Sequence, residues 1–431
     1  MTSPRGRPAG LRDPVVCIVG AGPAGLVTAH LLRRAGISFV VLERQDADGL
    51  RARVKAGMIE HRTVELLRPS GLADPIVGSG RRIGTCEFRA DGQAFVLDYA
   101  SLCGGRGHYI YPQHELVADW AGQLLAAGGD LRFGVEATGI EQFEDRSVVS
   151  AARSAAGQAA GQAAGEPVTV ECEAVAVCDG AAGVLSARTE GVSAAYPTRW
   201  LSLIAAAPPS TAGTIYGLHA RGFAGQMHRS ATMTRFMLEV PAGEDYGRWD
   251  DDRIWAELDH RLAAAGRPGL ERGEFIERDI LDHRVRVCDP MQDGRVFLAG
   301  DAAHLITPAG GKGMNIAIQD AVELASGLTE RYGEQNDGRR LGRYSRARLP
   351  LVWRHQEFSS LMLSLFNAGT AGTAATAGTA ATAGTAGTAG TAAGDGGREF
   401  SYRLRRARLD LIVSDPRFSR WFAHAYVGVD E

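Results

Sequence analysis

The feature that most constrains the fold of this chain is a glycine-rich turn close to residue 20, in the stretch VVCIVGAGPAGLVTAHLLRRAGISFVVLER. Val15 to Val19 is a short apolar run typical of a buried strand, and helical spacing follows from Leu26 to Arg34. A second apolar run, Phe39 to Leu42, ends on Glu43. The order of strand, turn, helix, strand and acid predicts a βαβ unit that binds a dinucleotide.

The three glycines of the turn have separate mechanical roles. Gly20 permits the tight turn, Gly22 lets a pyrophosphate approach the backbone, and Gly25 allows the helix to pack closely on the strand. The N-terminus of the helix faces the phosphates. Glu43 stands where a carboxylate accepts hydrogen bonds from the adenosine ribose hydroxyls.

A second motif, GRVFLAGDAAHLITPAGGKGMNIAIQDAVELA, indicates which dinucleotide is bound. The strand Val296 to Leu298 leads to Asp301, whose carboxylate suits the polyol of a ribityl chain. The loop from Pro308 to Gly313 brings bare backbone against a flat ring, and the helix that follows aims its positive end at a reduced, anionic flavin. A third element, AVAVCDGAAG, is a buried strand that ends at Asp179. Together the three motifs favour FAD.

Composition excludes several classes of protein. The chain has 431 residues, a formal net charge of -3 and 45% hydrophobic residues, which fits two integrated domains of a soluble protein. No basic stripe, acidic tail, secretory signal or bilayer-length apolar run is present, so we expect a cytoplasmic protein that binds neither nucleic acid nor membrane. The six cysteines have no metal-ligand spacing, which predicts buried thiols and no metal site.

Two low-complexity tracts interrupt the chain. The first, residues 152–167, lies between two strand-like runs and predicts a lengthened hairpin loop. The second, residues 368–397, is an Ala/Gly/Thr repeat without bulky apolar groups, which predicts a disordered linker. It separates a helical C-terminal segment that must pack against the rest of the protein.

The stretch GFAGQMHRSATMTRFMLEV, residues 222–240, reads as a β-hairpin with an unusual face. Period-two alternation places Met227 and Arg229 on one face of the first strand, and Arg235 and Met237 on one face of the second. A face that mixes arginine with methionine is neither plain core nor plain surface. We therefore expect it to be one wall of a binding site.

The motifs occur in the order found in a known enzyme family. LERQ, AGMIE, RWLSLIAAAPP, ARGFA, PMQDGRVFLAGDAAH, KGMN and YVG, spread from residue 15 to residue 428, resemble the class A flavoprotein aromatic hydroxylases. The resemblance implies an α/β fold: a FAD-binding Rossmann-like domain of the glutathione-reductase type, an inserted mixed β-sheet that binds substrate, and a helical C-terminal part.

The resemblance also implies how the chain is divided. The FAD-binding domain is expected from three stretches, the substrate domain from two, and the helical part from the remainder. The expected FAD-binding stretches are 14–80, 109–190 and 286–355; the substrate stretches are 81–108 and 191–285; the helical part is 356–431.

Further cofactor contacts are carried over from the family. The residues that the resemblance places at FAD, besides the three glycines and Glu43, are Arg53, Lys55, Gln113, Asp179, Asp301, Lys312, Gly313, Met314 and Asn315. Only one dinucleotide fingerprint is present, which fits a family that binds NADH or NADPH transiently in a surface groove. Arg44, Gln45 and Arg284 match positions implicated in that binding.

In the family, O2 and NAD(P)H are co-substrates, and a flavin C4a-hydroperoxide hydroxylates a phenol next to its hydroxyl group. Two tyrosines form a hydrogen-bond relay to the phenol oxygen, and a proline carbonyl lies next to the same oxygen. Tyr216, Tyr426 and Pro308 match these positions. The resemblance therefore implies hydroxylation of a para-substituted benzoate such as 4-hydroxybenzoate. A small aromatic acid is the expected partner, and a homodimer is expected by resemblance alone.

The substrate wall departs from the family. Arg229 matches the arginine that grips the substrate carboxylate, and Arg235 matches a second arginine nearby. Met227 and Met237 replace a serine and a tyrosine that donate hydrogen bonds to that carboxylate. Two interpretations stay open: a benzoate held by Arg229 and packed on the methionines, or a substrate that is larger, esterified or attached to a carrier.

The proton path departs as well, because Ile83 takes the place of a surface histidine. An aniline, which is electron-rich without losing a proton, would tolerate this change, so a 4-aminobenzoate is a rival substrate. Attack at the carboxylate-bearing carbon, with loss of CO2, is a further alternative.

The nicotinamide region has its own substitutions. Ala182 and Gly49 replace a histidine and a tyrosine of the family, and Asp46 and Asp48 flank Gly49. Carboxylates there repel a 2′-phosphate. We therefore expect NADH to be accepted at least as well as NADPH.

Two other classes of protein share this scaffold. A flavin halogenase is disfavoured, since none of the six tryptophans lies in a W-x-W-x-x-P segment. A non-catalytic FAD-binding protein would not need Tyr216, Tyr426 and Lys312.

Overall fold

The computed structural model of the protein describes residues 14–52, 57–153, 165–186, 189–241, 243–368 and 395–429. Arg53 and Lys55, which the resemblance places near the flavin, lie outside the described residues. The greater parts of the two low-complexity tracts, residues 154–164 and 369–394, also lie outside them, so the linker prediction is not tested. The second tract is shorter than expected at its end, because a helix begins at Asp395.

The strands, in chain order, are β1 (Val16–Val19), β2 (Phe39–Glu43), β3 (Met58–Ile59), β4 (Arg81–Ile83), β5 (Thr85–Ala90), β6 (Gln93–Asp98), β7 (His108–Ile110), β8 (Leu131–Phe133), β9 (Val135–Gln142), β10 (Ser147–Arg153), β11 (Pro167–Cys172), β12 (Ala174–Val177), β13 (Gly191–Ala205), β14 (Thr214–Leu218), β15 (Ala224–His228), β16 (Thr234–Val240), β17 (Phe275–Cys288), β18 (Gln292–Asp293), β19 (Val296–Leu298) and β20 (His304–Leu305). The α-helices are α1 (Pro23–Arg34), α2 (Ala47–Ala52), α3 (His61–Leu67), α4 (Asp74–Ser79), α5 (Tyr99–Leu102), α6 (Gln113–Ala126), α7 (Asp251–Leu262), α8 (Gly313–Tyr332), α9 (Arg339–Gly342), α10 (Tyr344–Phe366), α11 (Asp395–Ser414) and α12 (Pro416–Val427).

A six-stranded sheet forms the nucleotide end of the molecule, with the strand order β18-β19-β12-β1-β2-β8. β1 pairs in parallel with both β2 and β12, and β19 pairs in parallel with β12. Every residue of β1 and β12 is buried, as expected for parallel strands covered on both faces. The carboxyl ends of these strands therefore bring the glycine turn, Asp179 and Asp301 to one edge of the sheet.

A second, eight-stranded sheet has the order β20-β17-β13-β16-β15-β14-β5-β6. It is mixed, because β5 and β14 are parallel while the other pairs are antiparallel. One of its faces packs Phe236 and Leu238 against Trp255 of α7, in a separate apolar core. The other face points away from α7 and carries Tyr216 and the methionines of the hairpin.

The C-terminal helices α11 and α12 lie against this second face. Phe422 and Tyr426 of α12 pack with Phe88 of β5 and with Phe366, the last residue of α10. The helical C-terminal part therefore completes the aromatic core beside Tyr216. With a Rossmann-like sheet, an inserted mixed sheet and this helical part, the predicted fold class is confirmed.

The remaining sequence expectations fall on peripheral features. β10 and β11 form the antiparallel pair predicted to flank the first low-complexity tract. All six cysteines are buried and none forms a disulfide. In the described ranges, no cluster of three or more His, Cys, Asp or Glu has the geometry of a metal site. The helices of the described residues are all too short or too polar to span a bilayer.

Candidate active site

A cavity of about 510 Å³ runs from the carboxyl edge of the six-stranded sheet to the second sheet. Most residues that the sequence assigns to FAD line it. These residues are Gly20, Gly22, Glu43, Gln113, Asp179, Asp301, Lys312, Gly313 and Met314. Pro308, Arg44, Arg235 and Arg284 line it too. The structure thus brings the predicted cofactor residues together around one space.

The glycine turn has the geometry that its three positions require. Gly20 has a φ of +99°, which side-chain-bearing residues rarely adopt. A Cβ on Gly25 would lie 2.0 Å from the carbonyl oxygen of Gly20, so α1 can approach the strand only at a glycine. A Cβ on Gly22 would meet nothing within 4 Å, because this backbone faces the cavity. Gly22 and the N-terminus of α1 therefore offer an open site for a pyrophosphate.

The two acids at the strand ends fit a nucleotide. Both carboxylate oxygens of Glu43 accept backbone hydrogen bonds, from the N–H groups of Ala21 at 2.8 Å and of Gln45 at 3.0 Å, which fixes the side chain at the cavity. Asp179 accepts from the N–H of Leu185 through Oδ2, whereas its Oδ1 is buried without a hydrogen-bond partner in the described residues. Burial raises the pKa of Asp179. An unpaired acceptor that lines the cavity is what a ligand hydroxyl would satisfy.

The buried carboxylate of Asp320 stabilises the segment between β19 and α8. Asp320 of α8 accepts hydrogen bonds from the N–H of Gly300 at 3.0 Å, from His304 at 2.5 Å and from Arg348 at 2.7 Å. Burial alone would raise the pKa of Asp320, but the neighbouring His304 and Arg348 lower it below its usual value. This network fixes the backbone that presents Asp301 to the cavity. Sequence reasoning did not identify it.

Lys312 is buried and connects three parts of the chain. Its ammonium group lies 2.6 Å from Glu60, and it also donates to the backbone carbonyls of Ala425 at 2.5 Å and Tyr426 at 3.0 Å. The lysine therefore places a positive charge at the cavity while holding the end of α12 in position. The pairing with Glu60 had no sequence signal, because the two residues are far apart in the chain.

Three predicted cofactor or nicotinamide residues do not line the cavity. Asn315 donates to the carbonyls of Met58 and Gly311 and accepts from the N–H of Glu60. Its amide therefore holds the loop from Pro308 to Gly313 against β3. Gly25 instead allows α1 to pack closely against the backbone of Gly20. Gln45 is not among the lining residues, whereas its neighbour Arg44 lines the cavity and approaches Glu136 at 4.0 Å.

Of the arginine–methionine hairpin, Arg235 lines the cavity, whereas Met227, Arg229 and Met237 are not among its lining residues. Met227 of β15 is directly opposite Arg235 of β16, and Gly225 is opposite Met237. Tyr216 of β14 is opposite Gly225, so its side chain shares this face. Tyr216, Met227, Arg235 and Met237 therefore stand together on the face turned towards α12.

The two arginines of the wall are both buried. The Nε atom of Arg235 donates to Ser202 at 3.0 Å, and its side chain reaches the cavity. Arg229 follows β15 directly. Burial, followed by the like charge of Arg235, lowers the pKa of Arg229 to about 9, against a smaller opposing effect of Glu277. A carboxylate beside Arg229 would favour its charged form. Arg229 itself is not among the residues that line the cavity.

The two predicted catalytic tyrosines are in direct contact. The hydroxyl oxygens of Tyr216 and Tyr426 are 2.7 Å apart, although the residues are 210 positions apart in sequence. Both side chains are buried, and burial raises the pKa of each phenol. The Tyr426 hydroxyl also donates to the sulfur of Met58 at 3.7 Å. Met58 lines the cavity, and the sequence analysis did not assign it a role.

The face expected to bind the nicotinamide is strongly charged. Arg284 of β17 lines the cavity, and its guanidinium lies 3.7 Å from Asp282, which lines it as well. Glu277 and Asp279 of the same strand add two more carboxylates to this wall. The predicted arginine therefore stands among acids.

Known proteins resemble this chain in both sequence and fold. The chain matches the family described as "FAD binding domain" over residues 13–359. It is 31% identical over 419 residues to p-hydroxybenzoate hydroxylase of Acinetobacter baylyi, across 96% of this chain and 95% of that protein. The solved structure of p-nitrophenol 4-monooxygenase from Pseudomonas putida superposes with a TM-score of 0.74 at 19% identity, covering 96% of this chain and 97% of that one. Anhydrotetracycline hydroxylase from Streptomyces rimosus superposes with a TM-score of 0.72 at 23% identity, covering 97% and 77%. At these identities the two structures establish the fold alone.

Proposed function

Because the chain belongs to the family of FAD-dependent aromatic monooxygenases, we propose that it hydroxylates a benzoate that carries an electron-donating group para to the carboxylate. One atom of O2 is inserted into the C–H bond of the ring carbon next to that group, giving a hydroxyl, and the other atom is reduced to water with two protons. The two electrons come from NADH or NADPH. Bound FAD supplies the oxygen activation, which no side chain can provide.

The observation that supports this substrate class is the composition of one face of the eight-stranded sheet. This face carries Tyr216, which contacts Tyr426, and the hairpin with two buried arginines. An arginine fork binds a carboxylate through two parallel hydrogen bonds. A flat ring that carries an acid and a polar group suits a face that offers both arginines and a tyrosine pair.

The protein's own residues have distinct tasks in the reaction. Arg229 binds the carboxylate and Met227 and Met237 pack against the ring, so the ring lies at a fixed angle. Tyr216 meets the para substituent, and Tyr426 holds the Tyr216 hydroxyl. Pro308 and the loop after it line the cavity and would present backbone to a bound flavin, and the buried aromatic side chains around the tyrosines exclude water.

The test is a panel of benzoates added to the FAD-loaded protein. We expect a para-hydroxy- or para-aminobenzoate to stimulate NADH oxidation and to gain 16 mass units, as one oxygen atom, in the recovered product. Benzoate without a para substituent should bind without being hydroxylated. Binding of FAD with no stimulation by any aromatic acid would favour the non-catalytic alternative, and product formed only from larger or esterified substrates would reject the benzoate.

Two further proposals depend on the resemblance. We propose that Arg44, Gln45 and Arg284 contact the nicotinamide nucleotide, which substitution of each by methionine would test through the KM for NADH. We also propose a homodimer, which light scattering of the purified protein would detect as twice the mass of 45.7 kDa.

A further inference from the structure

The tyrosine pair ends on an atom that cannot carry a proton. Tyr426 has one hydroxyl proton, and a thioether sulfur such as that of Met58 can only accept. If the Tyr426 proton points at Met58, the 2.7 Å bond between the tyrosines must be donated by Tyr216. The Tyr216 oxygen then has only lone pairs left for a ligand. In this arrangement it accepts a hydrogen bond from the substrate and does not donate one.

The surroundings of the pair are apolar. The ring of Tyr216 stacks on Phe366 at 5.2 Å and on Phe88 at 5.8 Å, and the ring of Tyr426 stacks on Phe422 at 5.6 Å. Only 4% of Tyr216 and 1% of Tyr426 is exposed. Water therefore has no direct access to either hydroxyl, and a proton needs a protein group to leave by.

The nearest titratable groups are already occupied. Nε2 of His108 donates to the backbone carbonyl of Tyr426 at 3.0 Å, and its Nδ1 lies 3.3 Å from the hydroxyl of Tyr99. Burial lowers the pKa of His108 to about 3, so it is a weak base. Tyr99 donates to the carbonyl of Ile83, the residue at the family's histidine position.

Lys312 and Cys86, the other two titratable neighbours of the pair, are equally unsuited to accept its proton. Lys312 is held by Glu60 and by two backbone carbonyls. Burial raises the pKa of Cys86, which keeps it a thiol. Within the described ranges, the hydroxyl of Tyr426 hydrogen-bonds to Tyr216 and Met58, and neither passes a proton onwards to solvent.

We propose that the tyrosine pair of this protein is a closed hydrogen-bond acceptor, and that the para substituent of its substrate is an aromatic amine that stays neutral. The amine donates an N–H to Tyr216 and activates the ring through its nitrogen lone pair, so no proton has to leave before the ring is attacked. A phenol, by contrast, would bind un-ionised and remain less reactive. The inference rests on the proposed function and narrows its substrate.

The first experiment measures the ionisation of a bound phenol. The FAD-loaded protein is titrated with 4-hydroxybenzoate between pH 6 and 9, and the phenolate is followed by its ultraviolet absorbance. We expect no phenolate in the complex below the pH at which the free phenol ionises, and tighter binding of 4-aminobenzoate than of 4-hydroxybenzoate, both followed by the change in the flavin spectrum. Phenolate bound at pH 7 would overturn the inference while leaving the proposed function intact.

The second experiment uses the variants Tyr216→Phe and Tyr426→Phe. Loss of the acceptor in Tyr216→Phe should weaken binding of 4-aminobenzoate about three- to tenfold, the size of one neutral hydrogen bond. Benzoate, which has no para group, is the matched ligand and should bind both variants and the parent protein equally, which also shows that the variants are folded. In Tyr426→Phe the pKa of bound 4-hydroxybenzoate should not rise, since the Tyr216 proton is then free to donate to the ligand.

The outcomes separate the two proposals. If Tyr426→Phe raised the pKa of the bound phenol, the pair would be an open proton path and the inference would be wrong. If no benzoate changed the flavin spectrum of the parent protein, the proposed function itself would be wrong.

Discussion

At the scale of single residues, the sequence identified the groups that line the cavity better than the groups that hold them. Gly20, Gly22 and Glu43 belong to a motif whose spacing alone implies their geometry, and all three lie where the motif predicts. Asp320 and Glu60 do not line the cavity but hold residues that do, and they belong to no motif. Their partners are set by tertiary packing, so no spacing in the chain could reveal them.

The carboxylate end of the substrate gives the first prediction. Arg229→Met should raise the Kd for benzoate roughly ten- to hundredfold, since a charged hydrogen bond contributes about 1.5–3 kcal/mol. The Kd for benzamide, which has no charge, should change less than about threefold by the same reasoning. Titration of the flavin spectrum measures both constants.

Arg248→Met is the control for this prediction, because the side chain of Arg248 is 79% exposed and belongs to the same domain. An unchanged Kd for benzoate in Arg229→Met would show that the acid binds elsewhere.

A second residue-scale prediction concerns Asp320. Replacing it with asparagine removes a charged acceptor from the N–H of Gly300 and should weaken FAD binding roughly tenfold or more, for about 1.5–3 kcal/mol. Fluorescence titration of the apoprotein with FAD measures the loss. Asp337→Asn, on the exposed loop before α9, is the matched control.

The pH dependence has a definite sign. Because His304 and Arg348 hold the pKa of Asp320 below its usual value, its ionised form stabilises the fold at every pH above about 3.9, the unfolded value. This contribution is lost only as the pH falls through the lower folded pKa. The difference in free energy of unfolding between the protein and Asp320→Asn should therefore stay constant from pH 5 to 8 and shrink in acid. A difference that changed between pH 5 and 8 would contradict this assignment.

At the scale of elements, the sequence predicted strands and helices where one pattern dominates. The βαβ unit and the hairpin of β15 and β16 follow from apolar spacing and occur as expected. The parallel pairing of β5 with β14 was not predictable from patterning, since the residues between them do not fix which strands become neighbours. The resemblance to the aromatic hydroxylases, now confirmed, supplied the two-sheet arrangement that patterning could not.

Lys312 offers a test of how helix α12 is held. Lys312→Met removes the cation that is bonded to the buried Glu60 and should lower the free energy of unfolding by about 3–5 kcal/mol. The double variant Glu60→Gln/Lys312→Met removes both charges and should lose less. Urea unfolding followed by fluorescence gives both values.

Equal losses in the single and double variants would show that Lys312 acts through the carbonyls of Ala425 and Tyr426 and not through Glu60. In that case α12 should be held less tightly in both variants, and limited proteolysis of the folded protein should cleave it from each.

At the scale of the whole molecule, the charges are unevenly placed. The net charge of -3 is small, yet Glu277, Asp279 and Asp282 all line the cavity beside Arg284. Asp48 is exposed in α2, at the edge of the nucleotide sheet. Composition alone cannot locate such a cluster, because it depends on which strand ends meet.

We predict from this distribution that kcat/KM for NADH is at least equal to that for NADPH. A 2′-phosphate near these carboxylates is repelled by roughly 0.5–1 kcal/mol for each pair of unit charges at exposed sites. Asp48→Ala should therefore improve the use of NADPH about two- to fivefold and leave NADH unaffected, with Asp145→Ala, on a distant exposed turn, as the control. A tenfold preference of the parent protein for NADPH would contradict the prediction.

The contacts of Lys312 with Ala425 and Tyr426 have a consequence for how the protein is made. When Ala368 is added to the growing chain, the glycine turn, the hairpin and Lys312 have been synthesised, but the second tyrosine has not. Translation of the stretch up to Tyr426 takes on the order of several seconds at 5–20 residues per second. During that interval the nascent chain has the parts of a nucleotide site but cannot yet enclose an aromatic ring. Oxygen chemistry thus becomes available only after α12 has been synthesised.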